Sequence, residues 1–265
     1  LASMDIMLND RRALVTGASQ GIGRAVAVEL AALGAHVTLL ARDGAKLAEV
    51  AAQLDRSKGQ KHHVLEVDMS DTEQLASAVV AHVKAHGPMH VLVNNTGGPP
   101  PGPAHEAPVS AFEQAFRLHL IAYQTLVLAV VPGMKEQRDG RIINIISTSV
   151  KVPLSNLGVS NTIRGAVAQW SKTLANELGP FQITVNNVLP GATETDRLAA
   201  IVHNKAIKGG ISDAEAAHEM MVEVPLRRFA RPAEIAAAVA FLAGPSGAYI
   251  NGINLPVDGG RTGSL

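Results

Sequence analysis

The sequence predicts an α/β fold: a single domain built as a doubly wound parallel sheet flanked by helices. Three observations predict it. Short apolar runs alternate with helical patterns along most of the 265 residues, a rhythm that right-handed crossovers turn into a parallel sheet. The segment Thr16 to Gly23, TGASQGIG, joins the first apolar run to the first helical pattern through glycines. Asn-, Ser-, Gly- and Pro-bearing loops then follow the later runs, at the ends where open α/β sheets bind their ligands.

Bulk composition narrows the class. With 47% hydrophobic residues the chain can bury a large core as one domain, expected over residues 11–265, behind an N-terminal extension over residues 1–10. Leu1 to Ser3, ahead of Met4, are expected to be a cloning remnant. Formal charge is zero, 23 basic against 23 acidic residues, and only 3% of residues are aromatic. That balance argues against a nucleic-acid footprint or a base-stacking platform. The chain has no cysteine, which removes disulfides, thiolate catalysis and zinc–thiolate sites and agrees with a cytoplasmic location. No apolar run approaches the roughly 20 residues of a membrane span, so no membrane partner is expected.

The elements follow in order. Ala13 to Val15 read as the first strand, and Arg24, Val26, Ala27, Leu30 and Leu33 as the helix after the glycines. A strand turning through glycines into a helix N-terminus offers free N–H groups and the positive end of the helix dipole, which suits a pyrophosphate. Gly17 suits the tight turn, Gly21 a close backbone approach to phosphates, and Gly23 close packing of helix on sheet. The spacing TGxxxGxG differs from the ordinary GxGxxG fingerprint and from the GxxxxGK[ST] phosphate loop. A dinucleotide is the expected ligand.

His36 to Leu40 form the second strand, ending at Ala41-Arg42. An acidic residue at that tip would hold the ribose hydroxyls; the guanidinium of Arg42 favours a 2'-phosphate instead, so NADP is expected, with NAD as the alternative. A helix carrying Leu47, Val50 and Leu54 leads to the strand His62 to Val67, and Asp68-Met69 follow it. Leu75, Val79 and Val83 mark the next helix. Met89 to Val93 form the fourth strand, running into Asn94-Asn95-Thr96-Gly97-Gly98 and a proline-rich stretch. A long helix spans Val109 to about Val131 and carries His119 and Tyr123. The apolar strand Arg141 to Ile146 ends at Ser147, a helix spans roughly Asn156 to Leu178, and Phe181 to Val188 form a further strand before Leu189-Pro190-Gly191. Residues 193–224, with mixed polar, Gly-Gly and Met-Met sequence, read either as a substrate lid or as a static helix pair. A helix from Pro232 and a strand from Gly252 to Val257 close the pattern.

Together these landmarks resemble the short-chain dehydrogenase/reductase family, especially its 3-oxoacyl-[acyl-carrier-protein] reductase-like members, and imply its Rossmann-like sheet. The resemblance covers about Arg11 to Gly260 and rests on TGASQGIG, NNTG at 94–97, LPGATET at 189–195 and VDGG at 257–260. It implies that Gly17, Ser19, Gln20, Gly21, Ile22 and Gly23 hold the pyrophosphate. Asp68 and Met69 would meet the adenine edge and Asn94 the adenosine side, with Thr96 and Gly97 also binding the cofactor. Pro190, Gly191 and Thr195 would flank the nicotinamide. It further implies a small-molecule carbonyl or alcohol substrate and a homotetramer or homodimer.

The family's catalytic set is altered. Ser147 stands at its serine position, but Ser160 stands where the family has tyrosine, Arg164 where it has lysine and His119 where it has asparagine. A serine hydroxyl is a far poorer acid than a phenol, and arginine does not deprotonate in ordinary proteins. Arg164 could still bind the nicotinamide ribose through its fork of donors. His119, titrating near neutrality, is the first candidate for a substitute acid, with Tyr123 second; a packed interior histidine is the plainer alternative. Two functions follow: an NADP-dependent oxidoreductase with a non-standard proton donor, or a catalytically silent dinucleotide-binding sensor or partner protein. Six other histidines, His62, His63, His82, His86, His90 and His105, are read as solvated or capping, and no metal site is expected.

Overall fold

The computed structural model describes residues 3–264. Seven parallel strands form one sheet in the order β3-β2-β1-β4-β5-β6-β7. They are β1 Arg12–Thr16, β2 His36–Ala41, β3 His63–Glu66, β4 Val91–Asn94, β5 Gly140–Ile145, β6 Ile183–Pro190 and β7 Asn254–Val257. The strand order reverses between β1 and β4, which opens a crevice past their carboxyl ends.

Side-chain alternation divides the interior in two. Ala13 and Val15 of β1, Val91 and Val93 of β4, and Ile143 and Ile145 of β5 face one core, shared with helices α1 Gly21–Ala32, α2 Gly44–Gln53 and α9 Pro232–Ala243. Leu14, Leu92 and Ile142 face the other, with α3 Thr72–His86, α5 Ala122–Gln137 and α6 Gly158–Leu178. The strands are therefore apolar on both faces, as a covered parallel sheet requires.

Several boundaries differ from expectation. The sixth strand starts at Ile183, because Gly179–Phe181 form a 3-10 turn and Gln182 is left-handed at φ +62°. The long helix runs on past Val131: α4 Val109–Phe116, a π-helical stretch Arg117–Ile121 and α5 make one continuous helix. Pro132 does not end it, since it lies on the exposed side, where water can satisfy the freed carbonyl.

This run, Val109–Gln137, is also long and apolar enough to cross a membrane, with a mean hydropathy of 1.4 in its most apolar window, against the expectation that no such segment exists. Its inner side, with Tyr123, Leu126 and Met134 fully buried, is part of the core against the sheet. Within the N-terminal extension, Asp5 and Leu8 are likewise tied to the domain. Leu8 is fully buried and its N–H donates to Leu33 O at 2.9 Å, while Ser246 N–H donates to Asp5 O at 2.9 Å.

Candidate active site

The glycine turn is built to leave room. Gly17 and Gly21 adopt φ of +58° and +56°, which L side chains rarely tolerate. A Cβ on Gly23 would lie 2.1 Å from Gly17 O, so helix α1 and the loop touch backbone to backbone. Gln20 enters α1 with no side-chain cap, so no side chain occupies the first-turn N–H groups. Ser19 is half-buried in the loop, Ile22 half-buried in the first turn, and Gln20 exposed. This cradle fits a pyrophosphate.

Asn95, which sequence reasoning passed over, secures the loop. Its backbone N–H donates to Thr16 Oγ1 at 2.8 Å, the Thr16 hydroxyl donates to Asn95 O at 2.8 Å, and Asn95 Nδ2 donates to Gly17 O at 3.3 Å. Its signal was the second asparagine of NNTG. Thr96 is half-buried and Gly97 exposed just beyond it.

Asn94 is different. Its side chain is fully buried, and Nδ2 donates to Asn144 Oδ1 at 2.8 Å. Asn144 Nδ2 in turn donates to Asn187 Oδ1 at 2.9 Å, and Asn187 Nδ2 to Asn254 Oδ1 at 2.8 Å. A ladder of amides thus crosses four strands inside the sheet, and the Asn94 side chain serves that ladder rather than the adenosine side. Strand alternation decides this: residue 94 points inward and residue 95 does not.

At the other end of the cradle, Arg42 is exposed at the tip of β2. Asp68 lies near it; the Ser70 N–H and hydroxyl, both 2.8 Å away, hold its carboxyl below the usual range, and Arg42 adds to the effect. Met69 packs its side chain into the core, so only its backbone is available to an adenine. Past β6, Gly191 is required by packing, since a Cβ would lie 2.8 Å from Asp258 Cα. Pro190 precedes it, half-buried. Thr195 caps the next helix, α7 Asp196–Gly209, by accepting from Leu198 N–H at 3.3 Å, and its methyl reaches within 3.3 Å of where a Gly21 Cβ would stand.

The altered catalytic positions are largely enclosed. Ser147 is half-buried, and its Oγ accepts from Ser149 N–H at 3.1 Å. Ser160 is 7% exposed and Arg164 6%. Arg164 Nη1 donates to Ile145 O at 2.9 Å, which ties the guanidinium to the end of β5. Tyr123 lies beside it, yet its hydroxyl makes no hydrogen bond of good geometry. Burial pushes that phenol up to about 12, partly opposed by Arg164.

His119 sits in the π-helical stretch, a local widening frequent at functional sites. It is fully buried, neither ring nitrogen has a partner among the described residues, and its ring stands edge-on to Tyr123 at 6.2 Å. Burial first, then the guanidinium groups of Arg164 and Arg197, push it down to about 2. Burial beside two cations thus favours the neutral imidazole, against the titration near neutrality that made His119 the first candidate acid. Neither the burial nor the cations are visible in a helical pattern.

Residues 193–224 form α7 and α8 Asp213–Val222. The pair has its own small core of Leu198, Val202, Ala206 and Ala216, apart from the two main ones. Arg197, unnoticed in the sequence, clasps it to the loop after β4: Nη1 donates to Gly98 O at 2.8 Å and Nη2 to Pro99 O at 3.1 Å.

Histidines scattered in the sequence also converge, far from the cradle. His82 and His86, four apart on α3, meet His63 of β3, with ring centroids 3.9 to 5.3 Å apart. The i,i+4 spacing of HVKAH was the signal. Among the described residues, no group of three His, Cys, Asp or Glu side chains forms a metal site.

The comparisons with known proteins agree with this geometry. The family model described as short chain dehydrogenase matches residues 11–206. The chain is 31% identical over 259 residues to the NADPH-dependent reductase BacG of Bacillus subtilis, covering 97% of this chain and 100% of the relative. It is 33% identical over 261 residues to the 3-oxoacyl-[acyl-carrier-protein] reductase FabG of Vibrio cholerae, covering 96% and 98%. Among solved structures, L-sorbose reductase from Gluconobacter frateurii, complexed with NADPH and L-sorbose, superposes with a TM-score of 0.93 at 32% identity, covering 99% and 100%.

Proposed function

Since the chain belongs to the short-chain dehydrogenase family, we propose that it is an NADP-dependent oxidoreductase that interconverts a ketone and a secondary alcohol without the family's tyrosine–lysine pair. One observation carries this reading: the glycine cradle is kept open to a degree that excludes a Cβ at Gly17 and Gly23, while a guanidinium stands at the ribose tip. The relatives named for NADPH support the cofactor, and exposed Arg42 would meet its 2'-phosphate. When bound, the dinucleotide supplies the hydride.

The remaining work falls to this chain's own groups. Ser147, half-buried at the end of β5, polarises the substrate oxygen through its hydroxyl. Arg164 supplies a fixed positive charge near the reacting oxygen and relays no proton. With the His119 ring and the Tyr123 hydroxyl both fully enclosed and unpartnered among the described residues, an ordered water is the proton donor this reading assigns. Compounds of 3-oxoacyl type are the first substrates to try, given the likeness to FabG. A homo-oligomer is what the likeness to the family implies, and the cysteine-free sequence favours a cytoplasmic setting.

The test is NADPH oxidation across ketones and 3-oxoacyl thioesters, with cofactor binding followed separately by fluorescence. Turnover that falls at least tenfold in Ser147→Ala supports the reading; failure to bind NADPH sinks it. A second reading, a silent dinucleotide-binding protein, is favoured by one observation: the Arg164 guanidinium is tied to Ile145 O and Ser160 is nearly closed off. It expects binding with no turnover.

A further inference from the structure

At the amino ends of β1, β2 and β3, opposite the cradle, lies a pocket of about 290 Å³. Its ionisable lining is wholly basic: Arg12 of β1, His36 of β2, Lys61 ahead of β3, His63 of β3, and His82 and His86 of α3. The remaining lining residues are Thr38, Ala85 and Met89, so among the described residues no carboxylate lines the pocket, while Asp10 lines an adjoining cleft that shares His36. The charges acting on His63 and His82 agree: each comes from another imidazole or from Lys61.

The hydrogen bonds leave much of this lining free. Arg12 Nε donates to Pro88 O at 2.7 Å, and no hydrogen bond or ion pair to its two terminal nitrogens is seen among the described residues. His36 Nδ1 accepts from Lys61 N–H at 2.8 Å, which places the ring proton on Nε2 when the ring is neutral. His82 Nε2 meets Thr38 Oγ1 at 2.8 Å. His63 and His86 pack ring against ring at 3.9 Å, and neither ring has a hydrogen-bond partner among the described residues.

We propose that this pocket is a second binding site, for a small multiply charged oxyanion of the phosphate class. Two fixed cations and four imidazoles around one opening, with no carboxylate among its described lining, make a field that favours an anion. An anion also favours imidazolium over imidazole, so binding takes up protons. Without it, burial and mutual repulsion hold His82 down to about 4 and His63 below its ordinary value. Affinity therefore rises as pH falls, the opposite of a transition-metal site, where protons compete with the metal.

The experiment titrates the full chain with pyrophosphate at pH 6.0 and pH 8.0, following the imidazole resonances of His63, His82 and His86 by NMR. Those reporters separate this pocket from the cradle, which also suits a pyrophosphate. The expected result is saturable shifts of these resonances at pH 6.0, at least tenfold weaker binding at pH 8.0, and a tenfold loss at pH 6.0 in the double variant His63→Gln, His86→Gln. Lys61→Met, which leaves the imidazoles in place, is expected to weaken binding about threefold. Unmoved resonances, equal affinity at the two pH values, or unchanged affinity in the double variant would each overturn the proposal. So would zinc ion binding to the three imidazoles at pH 8.0 with no pyrophosphate response at pH 6.0.

Discussion

Single residues carry the sharpest tests of the cradle and of the altered catalytic set. Gly23→Ala places a Cβ 2.1 Å from Gly17 O; neither backbone segment can yield without opening the turn. We expect NADPH binding to fall at least tenfold, with stability lowered by about 2 kcal/mol or more, read by fluorescence titration and urea unfolding. His119→Gln removes a neutral, buried imidazole, so the pH profile of any turnover between pH 5 and 8 should keep its shape; a lost limb would restore His119 as an acid. The double variant Ser160→Tyr, Arg164→Lys reinstates a phenol and an ammonium at the family's positions. Carbonyl reduction should then rise at least tenfold, since a phenol is the better acid. At this scale the sequence was informative about residue type and silent about surroundings. Substitution at positions 119, 160 and 164 could be read from the family resemblance and its motif spacing, but the downward push on His119 comes from burial and from Arg164 and Arg197 approaching from other helices.

Among the elements, the α7–α8 pair stands apart, because its apolar contacts are mostly its own. What ties it to the loop after β4 is the pair of hydrogen bonds from Arg197 to Gly98 and Pro99 carbonyls. Elements with few shared contacts open locally at low cost. Arg197→Ala is accordingly expected to speed amide exchange in α7 and α8 at least tenfold and to raise KM several-fold, while global unfolding shifts little. Unchanged exchange would show that packing, not the clasp, holds the pair. The sequence left open whether this stretch was a lid or a static pair, since its composition suits both. It also missed the π-helical stretch, which no hydrophobic period announces.

Across the whole molecule, the histidines set the response to acid. His82 and His90 are each held down to about 4, first by burial and then by neighbouring positive groups. An unfolded chain binds protons at these positions near pH 6.5, whereas the folded chain resists until about pH 4. Stability from this source is full above pH 6.5 and declines as pH falls toward 4, by up to about 1.4 kcal/mol per pH unit for each histidine. Urea unfolding at pH 7 and pH 5 should show the folded state less stable at pH 5, and His82→Gln should reduce the difference. Equal stability at the two pH values would refute this account. The sequence by itself determined the sheet, the helices that cover it, the phosphate turn and the family, because strand alternation, helical period and glycine spacing are local and survive in one dimension. Tertiary structure alone decided which partners Asn94 and Asn95 bond, how deeply His119 is enclosed and that six basic residues share one pocket. Those outcomes depend on distances between residues remote in the chain, and burial and electrostatic fields are set by such distances rather than by order along the sequence.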